Sequence, residues 1–320
     1  MKQKIKIGVL GCANIAVKSV IPAILSSNLY ELVAVCSRTK EKAEKLANLF
    51  QCEAIEGYEN IINRKDIEAL YIPLPTGLHK EWVLKSLQSN KHVLVEKSLA
   101  MNYIEAREMV HAAQSRQLLI MENFMFQYHN QHQLVKKLIS EGKIGELRCF
   151  RSSFGFPPLD KNNFRYNQQL GGGALLDAGA YTLKATQLFL GNKLTVKAAI
   201  LNCLNHEVDV YGGAFLVNPQ GMFSEIAFGF DNFYQCNYEL WGSKGKIIAH
   251  KSFTPAPLHQ PLITLEQQDY KEEYFADAEN HFVSILNEFY STVEQGNFQP
   301  KYEEILLQSQ LIDEVQQKSK

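Results

Sequence analysis

Residues 7–16 read Ile7-Gly8-Val9-Leu10-Gly11-Cys12-Ala13-Asn14-Ile15-Ala16, and this stretch decides the fold. The apolar run up to Leu10 has strand character, Gly11 breaks it, and Val20, Ile21 and Ile24 continue at helical spacing. A strand, a glycine turn and a helix in that order match the dinucleotide fingerprint G-x-G-x-x-G/A over residues 11–16. Gly11 makes the tight turn, the second position lets backbone approach a pyrophosphate, and the third, Ala16, is small enough for helix and strand to pack closely. Ala13 takes the second position; its methyl group narrows the approach without closing it. The backbone N–H groups around Cys12, Ala13, Asn14 and Ile15 then form the cradle at the helix start. Lys2, Lys4 and Lys6 ahead of an apolar stretch also suggest a secretory signal, but Gly8 and Gly11 interrupt the stretch and the helical pattern runs on.

The same alternation continues outward. Strands are expected over 5–10, 31–36, 66–73, 92–96 and 118–122, and helices over 15–26, 40–50, 79–89 and 102–117, with Pro22 kinking the first helix. Alternating strands and helices predict a parallel sheet covered on both faces. After a helix over 131–141 the pattern changes to strand-like runs at 147–156, 195–204, 210–217, 222–230, 234–241 and 246–250. Residues 219–222 and 242–245 have hairpin-turn composition, and two helices close the chain near 277–294 and 302–317. The expected architecture is α/β: an N-terminal Rossmann doubly wound parallel sheet over 1–122, then a C-terminal α+β domain over 123–320 on a large, mostly antiparallel sheet.

Composition excludes several classes. The chain has 320 residues, enough for about two domains at roughly 150 residues each. Its 33 basic and 34 acidic residues leave a net charge of −1, which gives no basic excess for nucleic acid or an acidic membrane surface. No apolar run approaches the ~18 residues of a membrane helix. None of the six cysteines is two or three residues from another, so zinc-type pairing is not expected. Reduced cysteines used as small hydrophobes in a cytoplasmic protein fit better. His129 and His132 lie three apart with no third ligand pattern nearby, so structural or substrate-facing roles are favoured over a metal site.

The second strand ends in Cys36-Ser37-Arg38-Thr39-Lys40. An NAD site usually places an acid there; a hydroxyl and a guanidinium suit a 2′-phosphate instead. NADP(H) is therefore expected, with NAD(H) as the alternative. Two further segments lie just past strand ends, where a parallel sheet presents its ligand face: Leu74, Pro75, Thr76 and His79, and then Glu96 and Lys97. In the second half, Gly171, Gly172 and Gly173 lead into a helix on which Asp177 and Tyr181, four apart, share one face.

Together, residues 8–16, 73–79, Glu96-Lys97, 171–181 and 238–245 resemble the Gfo/Idh/MocA family of NAD(P)-dependent oxidoreductases. Within it, the segments 122–126, 153–158, 163–166 and 170–181 look closest to sugar-nucleotide 3-ketoreductases of deoxysugar pathways. The resemblance implies that Lys97 is the catalytic lysine of a Glu-Lys-Pro motif, with Ser98 standing where proline is usual, and that Arg165 and Asp177 line the nicotinamide and substrate region. Many relatives carry histidine where this chain has Tyr181; the ketoreductase-like members carry tyrosine. The implied reaction is NADPH-dependent reduction of a keto group on a nucleotide-linked sugar, with Lys97 and Tyr181 supplying the proton. The substrate floor is expected on the open face of the second sheet and a following loop, at Tyr234, Gln235, Tyr238 and Thr254. The family habit of packing this sheet against another subunit implies a homodimer or homotetramer. Two other readings compete: a dehydrogenase of a free polyol, inositol or dihydrodiol, and a non-catalytic dinucleotide-sensing regulator. A regulator needs neither Lys97 nor Tyr181.

Overall fold

The computed structural model describes residues 3–320, so Lys2 of the basic run lies outside the described residues. Six parallel strands, β1 (Ile5–Leu10), β2 (Tyr30–Ser37), β3 (Glu53–Glu56), β4 (Ala69–Ile72), β5 (His92–Val95) and β6 (Ile120–Glu122), form one sheet. Their order is β3-β2-β1-β4-β5-β6. β1, β4, β5 and β6 are almost wholly buried, as a sheet covered on both faces requires. The strand order reverses between β1 and β4, so the ligand crevice of this sheet lies past their carboxyl ends. β3 and the short helix Tyr58–Ile62 were not expected from the pattern. β3 buries only Ile55, because it is an edge strand, and so carries no apolar run to read.

The second sheet has eight strands: β7 (Leu147–Gly155), β8 (Thr195–Asn202), β9 (Tyr211–Val217), β10 (Phe223–Gly229), β11 (Gln235–Gly242), β12 (Gly245–His250), β13 (Leu262–Gln267) and β14 (Tyr270–Phe275). Neighbours run antiparallel except β7 and β10, which pair in parallel from Phe223↔Cys149 to Gly229↔Gly155. The helices Ala180–Leu190 and Asn130–Ser140 pack on this sheet. β13 and β14 are additions to the expected set. β14 is an edge strand reading Tyr-Lys-Glu-Glu-Tyr-Phe with no buried residue, so its sequence has no buried face to announce it.

By internal packing the chain forms two units: residues 1–123 with 282–309, and 124–281 with 310–320. The expected single cut at 122 thus becomes a discontinuous division, because the helix His281–Gln295 and the first part of Gln299–Lys318 return to the first unit. Three phenols tie them there. Tyr30 donates to the Leu286 carbonyl at 2.6 Å, Tyr302 to Leu118 at 2.6 Å, and Tyr290 to Gln3 at 2.9 Å.

Two imidazoles are fully buried. His79 in the first unit has Nε2 2.7 Å from the Leu74 carbonyl, and Nδ1 3.0 and 3.1 Å from those of Ser98 and Leu99. His132 in the second has Nδ1 2.8 Å from the Tyr238 hydroxyl. Burial opposes their charged forms and pushes His79 down to about 4 and His132 down to about 3. The unfolded chain therefore binds more protons than the folded one below the ordinary imidazole pKa of about 6.5, and stability declines as pH falls from there toward 4. In His79→Gln, urea unfolding at pH 7 should show a loss of about 1–3 kcal/mol. The fall in stability between pH 6.5 and 4 should become shallower than in the parent. An unchanged slope would assign the acid sensitivity elsewhere.

Candidate active site

In the first unit β1 delivers the chain to Gly11, whose φ of +132° strongly favours glycine. Its N–H donates to the Cys36 carbonyl at 3.0 Å, and a Cβ there would lie 3.0 Å from Leu74 Cδ2. The helix then opens with Val17 N–H donating to the Ala13 carbonyl at 3.2 Å. Ala13 before the helix has no side chain able to cap it, and by geometry the N–H groups of Asn14, Ile15 and Ala16 in the first turn have no intrahelical partner, with those of Cys12 and Ala13 just ahead of them. The Cys12 thiol turns back toward the Cys36 and Lys42 carbonyls, at 3.6 and 3.9 Å, and burial raises its pKa. This surround fits an anionic pyrophosphate held by backbone.

The first helix is not uniform. Ala16–Val20 is a π segment and Ile21–Ser26 is α, with Pro22 in the first α turn. Pro22 has no N–H to close an ordinary turn, and the wider turn before it accommodates that loss.

β2 ends on Ser37, which is buried and accepts the Gly57 N–H on its carbonyl at 2.8 Å; Arg38 next to it is exposed. A fixed backbone with an exposed guanidinium beside it fits a 2′-phosphate at this edge. Past β4, Pro75 is the extended residue before the helix Thr76–Gln88, with Leu78 N–H donating to its carbonyl at 2.9 Å. His79 lies between the Leu74 carbonyl and the Ser98-Leu99 segment, and the single N–H of its neutral ring donates to one of them. It therefore supports the loops at the ligand edge from inside the core.

Glu96 follows β5 directly. Its Oε1 accepts the Tyr71 hydroxyl at 2.6 Å and Asn123 Nδ2 at 2.5 Å, which joins the ends of three neighbouring strands. Burial raises its pKa, opposed by these two donors and by the Lys97 charge. Lys97 is half-buried, and its peptide bond to Ser98 is cis. The Leu99 N–H beyond it donates to Glu122 Oε1 at 2.7 Å.

In the second unit Arg165 Nε donates to Asp177 Oδ2 at 2.5 Å, and its guanidinium lies 4.8 Å from the Phe164 ring. Asp177 sits in a π segment, Leu175–Gly179, that leads into Ala180–Leu190. Tyr181 opens that helix inside an aromatic nest. Phe154 and Phe124 meet its ring edge-on at 5.1 and 5.7 Å, and Phe126 and Phe253 lie at 5.6 and 5.7 Å. Its hydroxyl lies 3.7 Å from Met125 Sδ, a weak acceptor. The nest fixes the ring.

The expected substrate floor needs correction. Gln235 and Tyr238 differ by an odd number along β11, so a pleated strand sends them to opposite faces. Gln235 is exposed, whereas Tyr238 is fully buried against Phe150, Phe189 and His132, with burial holding its pKa well above the usual phenol value. Tyr238 is a core residue and not part of an open face. Tyr234 and Thr254 are exposed, and Thr254 Oγ1 lies 3.6 Å from Cys236 Sγ. His129 accepts the Gln131 N–H at a helix start, 3.2 Å away. Sequence reasoning missed Tyr71 and Asn123 around Glu96, the phenylalanines around Tyr181, and Asp209, which accepts the Leu175 N–H at 2.7 Å. Asn123, Phe124, Phe126 and Phe154 lie in segments that carry the family resemblance, but their roles, like those of Tyr71 and Asp209, show only in contacts across the fold.

Comparison with known proteins agrees with this layout. Residues 5–124 match the Gfo/Idh/MocA oxidoreductase model with its NAD-binding Rossmann fold, and residues 132–248 match the family's C-terminal domain model. The chain is 39% identical over 316 residues to dTDP-3,4-didehydro-2,6-dideoxy-alpha-D-glucose 3-reductase of Actinomadura kijaniata, covering 97% of this chain and 94% of that one. It is 40% identical over 301 residues to the enzyme of the same name from Saccharopolyspora spinosa, covering 92% and 90%. The crystal structure of KijD10, a 3-ketoreductase from Actinomadura kijaniata in complex with NADP and TDP-benzene, superposes with a TM-score of 0.96 at 38% identity, over 99% of this chain and 98% of that one. With both domain models matched and relatives of this similarity along almost its whole length, the chain belongs to the Gfo/Idh/MocA family of oxidoreductases.

Proposed function

We propose that this protein reduces a keto group on a nucleotide-linked deoxysugar with NADPH, and that Lys97 and Tyr181 serve the reacting oxygen. The observation that carries the reading is Lys97 at the carboxyl end of β5, on the ligand edge of a sheet whose first turn suits a dinucleotide pyrophosphate. The two dTDP-sugar 3-reductases and the 3-ketoreductase bound to NADP and TDP-benzene support it, being alike over nearly the full chain.

The residues that would hold the cofactor are the 11–15 turn, Ser37 and Arg38 at the 2′-phosphate, and Leu74, Pro75 and Thr76 along the edge, with His79 and Glu96 bracing the loops. When bound, NADPH supplies hydride from nicotinamide C4 to the ketone carbon. The carbonyl oxygen then gains negative charge and needs a proton. Lys97 and Tyr181 supply that proton and offset the charge that develops on the oxygen. Arg165 holds Asp177 by an ion pair, and this pair would help hold the nicotinamide or the sugar hydroxyls. Tyr234, Gln235 and Thr254 remain the candidates for outer contacts with the sugar nucleotide.

The exposed face of the eight-stranded sheet supports self-association. By strand register Ile200, Phe215, Trp241 and Phe275 share that face and are all exposed. Arg151 links Glu225 and Glu239 there at 2.7 and 3.2 Å and lies 5.1 Å from the Trp241 ring. An exposed apolar and aromatic patch with an arginine at its centre suits a second copy of the chain, as a homodimer or homotetramer. Among the described residues no helix is long and apolar enough to cross a membrane. All six cysteines are free thiols, which supports a reducing, cytoplasmic setting.

Three measurements test these readings. NADPH should bind more tightly than NADH, and Arg38→Ala should weaken NADPH by about 10-fold to 100-fold while leaving NADH within about threefold. Equal affinities in the parent protein would remove the 2′-phosphate assignment. In single-turnover reduction of a dTDP-linked 3-keto sugar, Lys97→Met and Tyr181→Phe should each slow the step by about 10²-fold or more, with NADPH affinity little changed. Rates within about threefold of the parent would remove the altered residue from the chemistry. Trp241→Glu should lower the molecular mass seen by sedimentation; an unchanged mass would place the subunit contact elsewhere.

A further inference from the structure

The helix that carries Asp177 and Tyr181 is held at its start from two sides. On one side the Gly173 N–H donates to the Arg165 carbonyl at 3.0 Å, and a Cβ at Gly172 would overlap that same carbonyl. On the other side stands the connection between β8 and β9. There the Ala174 N–H donates to the Asp209 carbonyl at 2.8 Å, and the Leu175 N–H donates to Asp209 Oδ2 at 2.7 Å. Gly173 has φ +118°, and a Cβ on it would lie 2.5 Å from Asp209 Oδ1. The same connection reaches the Arg165 loop, because His206 stacks on Tyr166 with ring centroids 4.7 Å apart and planes 28° apart. One loop thus touches both the segment that supplies Arg165 and the turn that launches Tyr181.

We propose that Asp209 is a positioning residue for the reduction: it caps the Tyr181 helix from outside and, with His206, sets the helix start against the Arg165 loop. The inference rests on Tyr181 being the proton donor. A cap supplied from 34 positions away differs from an ordinary helix cap, because it fixes the direction of the helix relative to a distant loop as well as satisfying its amides. A phenol that has to meet a developing alkoxide at hydrogen-bond length is sensitive to that direction, since a shift of about 1 Å costs on the order of 10²-fold in rate. Asp209 acts through the backbone of residues 174 and 175 and touches neither reactant.

The test uses the full chain with NADPH and a dTDP-linked 3-keto sugar. Asp209→Ala should lower kcat at least tenfold while NADPH affinity stays within twofold, and Asp209→Asn, which keeps an acceptor oxygen, should recover kcat to within threefold of the parent. In a Tyr181→Phe background the further loss from Asp209→Ala should shrink to under twofold, because a helix without its proton has less to lose from misplacement. His206→Ala, at an exposed position, should fold even if Asp209→Ala does not, and should lower kcat about threefold without lowering the melting temperature. A kcat within twofold of the parent in Asp209→Ala, or in His206→Ala if the former does not fold, overturns the inference. So does a loss that persists undiminished in the Tyr181→Phe background. A Tyr181→Phe enzyme as fast as the parent overturns the functional reading instead.

Discussion

Every helix starts with backbone N–H groups that the helix itself cannot satisfy, and this chain handles that constraint in two opposite ways. The helix after β1 begins at a glycine turn with no side-chain cap, pointing its amides to the ligand edge of the sheet. The helix that carries Tyr181 begins at a glycine turn whose amides are consumed, Gly173 by Arg165 and the next two by Asp209. The first arrangement leaves a site for an anion; the second leaves a rigid platform for a side chain. Both use glycine for the same steric reason, a positive φ with neighbours too close for a Cβ.

The two sheets extend this division of labour. The parallel sheet is buried on both faces, so its polar residues concentrate at the carboxyl ends, where Glu96 gathers Tyr71 and Asn123 into one network. A buried carboxyl with two donors on one oxygen locks the ends of β4 and β5 and the residue after β6 in register. Lys97 therefore leaves a fixed point in the chain. The second sheet is covered by helices on one face only, and the pleat sorts its residues: Phe150, Tyr238 and Phe228 inward, Arg151, Glu239 and Trp241 outward.

Local patterns in the sequence were enough for the alternation of the first unit, the glycine turns and the carboxyl-end segments, because these depend on neighbours within about one turn or one strand. Ser37 and Arg38 were legible for the same reason: they are simply the residues at which β2 ends. β3 and β14 were not, since edge strands bury one residue or none and carry no apolar period. The parallel pairing of β7 with β10 was not legible either, because register across an intervening helix and two strands has no local signature. The misplacement of Tyr238 has a simpler cause. Its distance from Gln235 is odd, and two residues at odd spacing on a strand cannot share a face. Asp209 was invisible because a cap is recognised from sequence only when it directly precedes its helix.

Both site-bearing helices also begin with a π segment, and the two have different origins. The first, Ala16–Val20, is followed two residues on by Pro22, whose missing N–H accounts for the wider turn. The second, Leu175–Gly179, contains no proline. Its last residue is Gly179, where a Cβ would lie 3.1 Å from the Phe228 ring of β10 and 3.1 Å from Leu175 Cδ1. There the wide turn goes with close approach of helix to sheet, which a side chain at Gly179 would prevent. Tyr181 follows two residues later, so its direction depends on how far the backbone has sunk onto β10 before the regular α-helix begins. The position of the phenol is thereby set by Asp209 at one end of the turn and by the Gly179–Phe228 contact at the other. The surrounding phenylalanines hold a ring whose path was already fixed by the backbone.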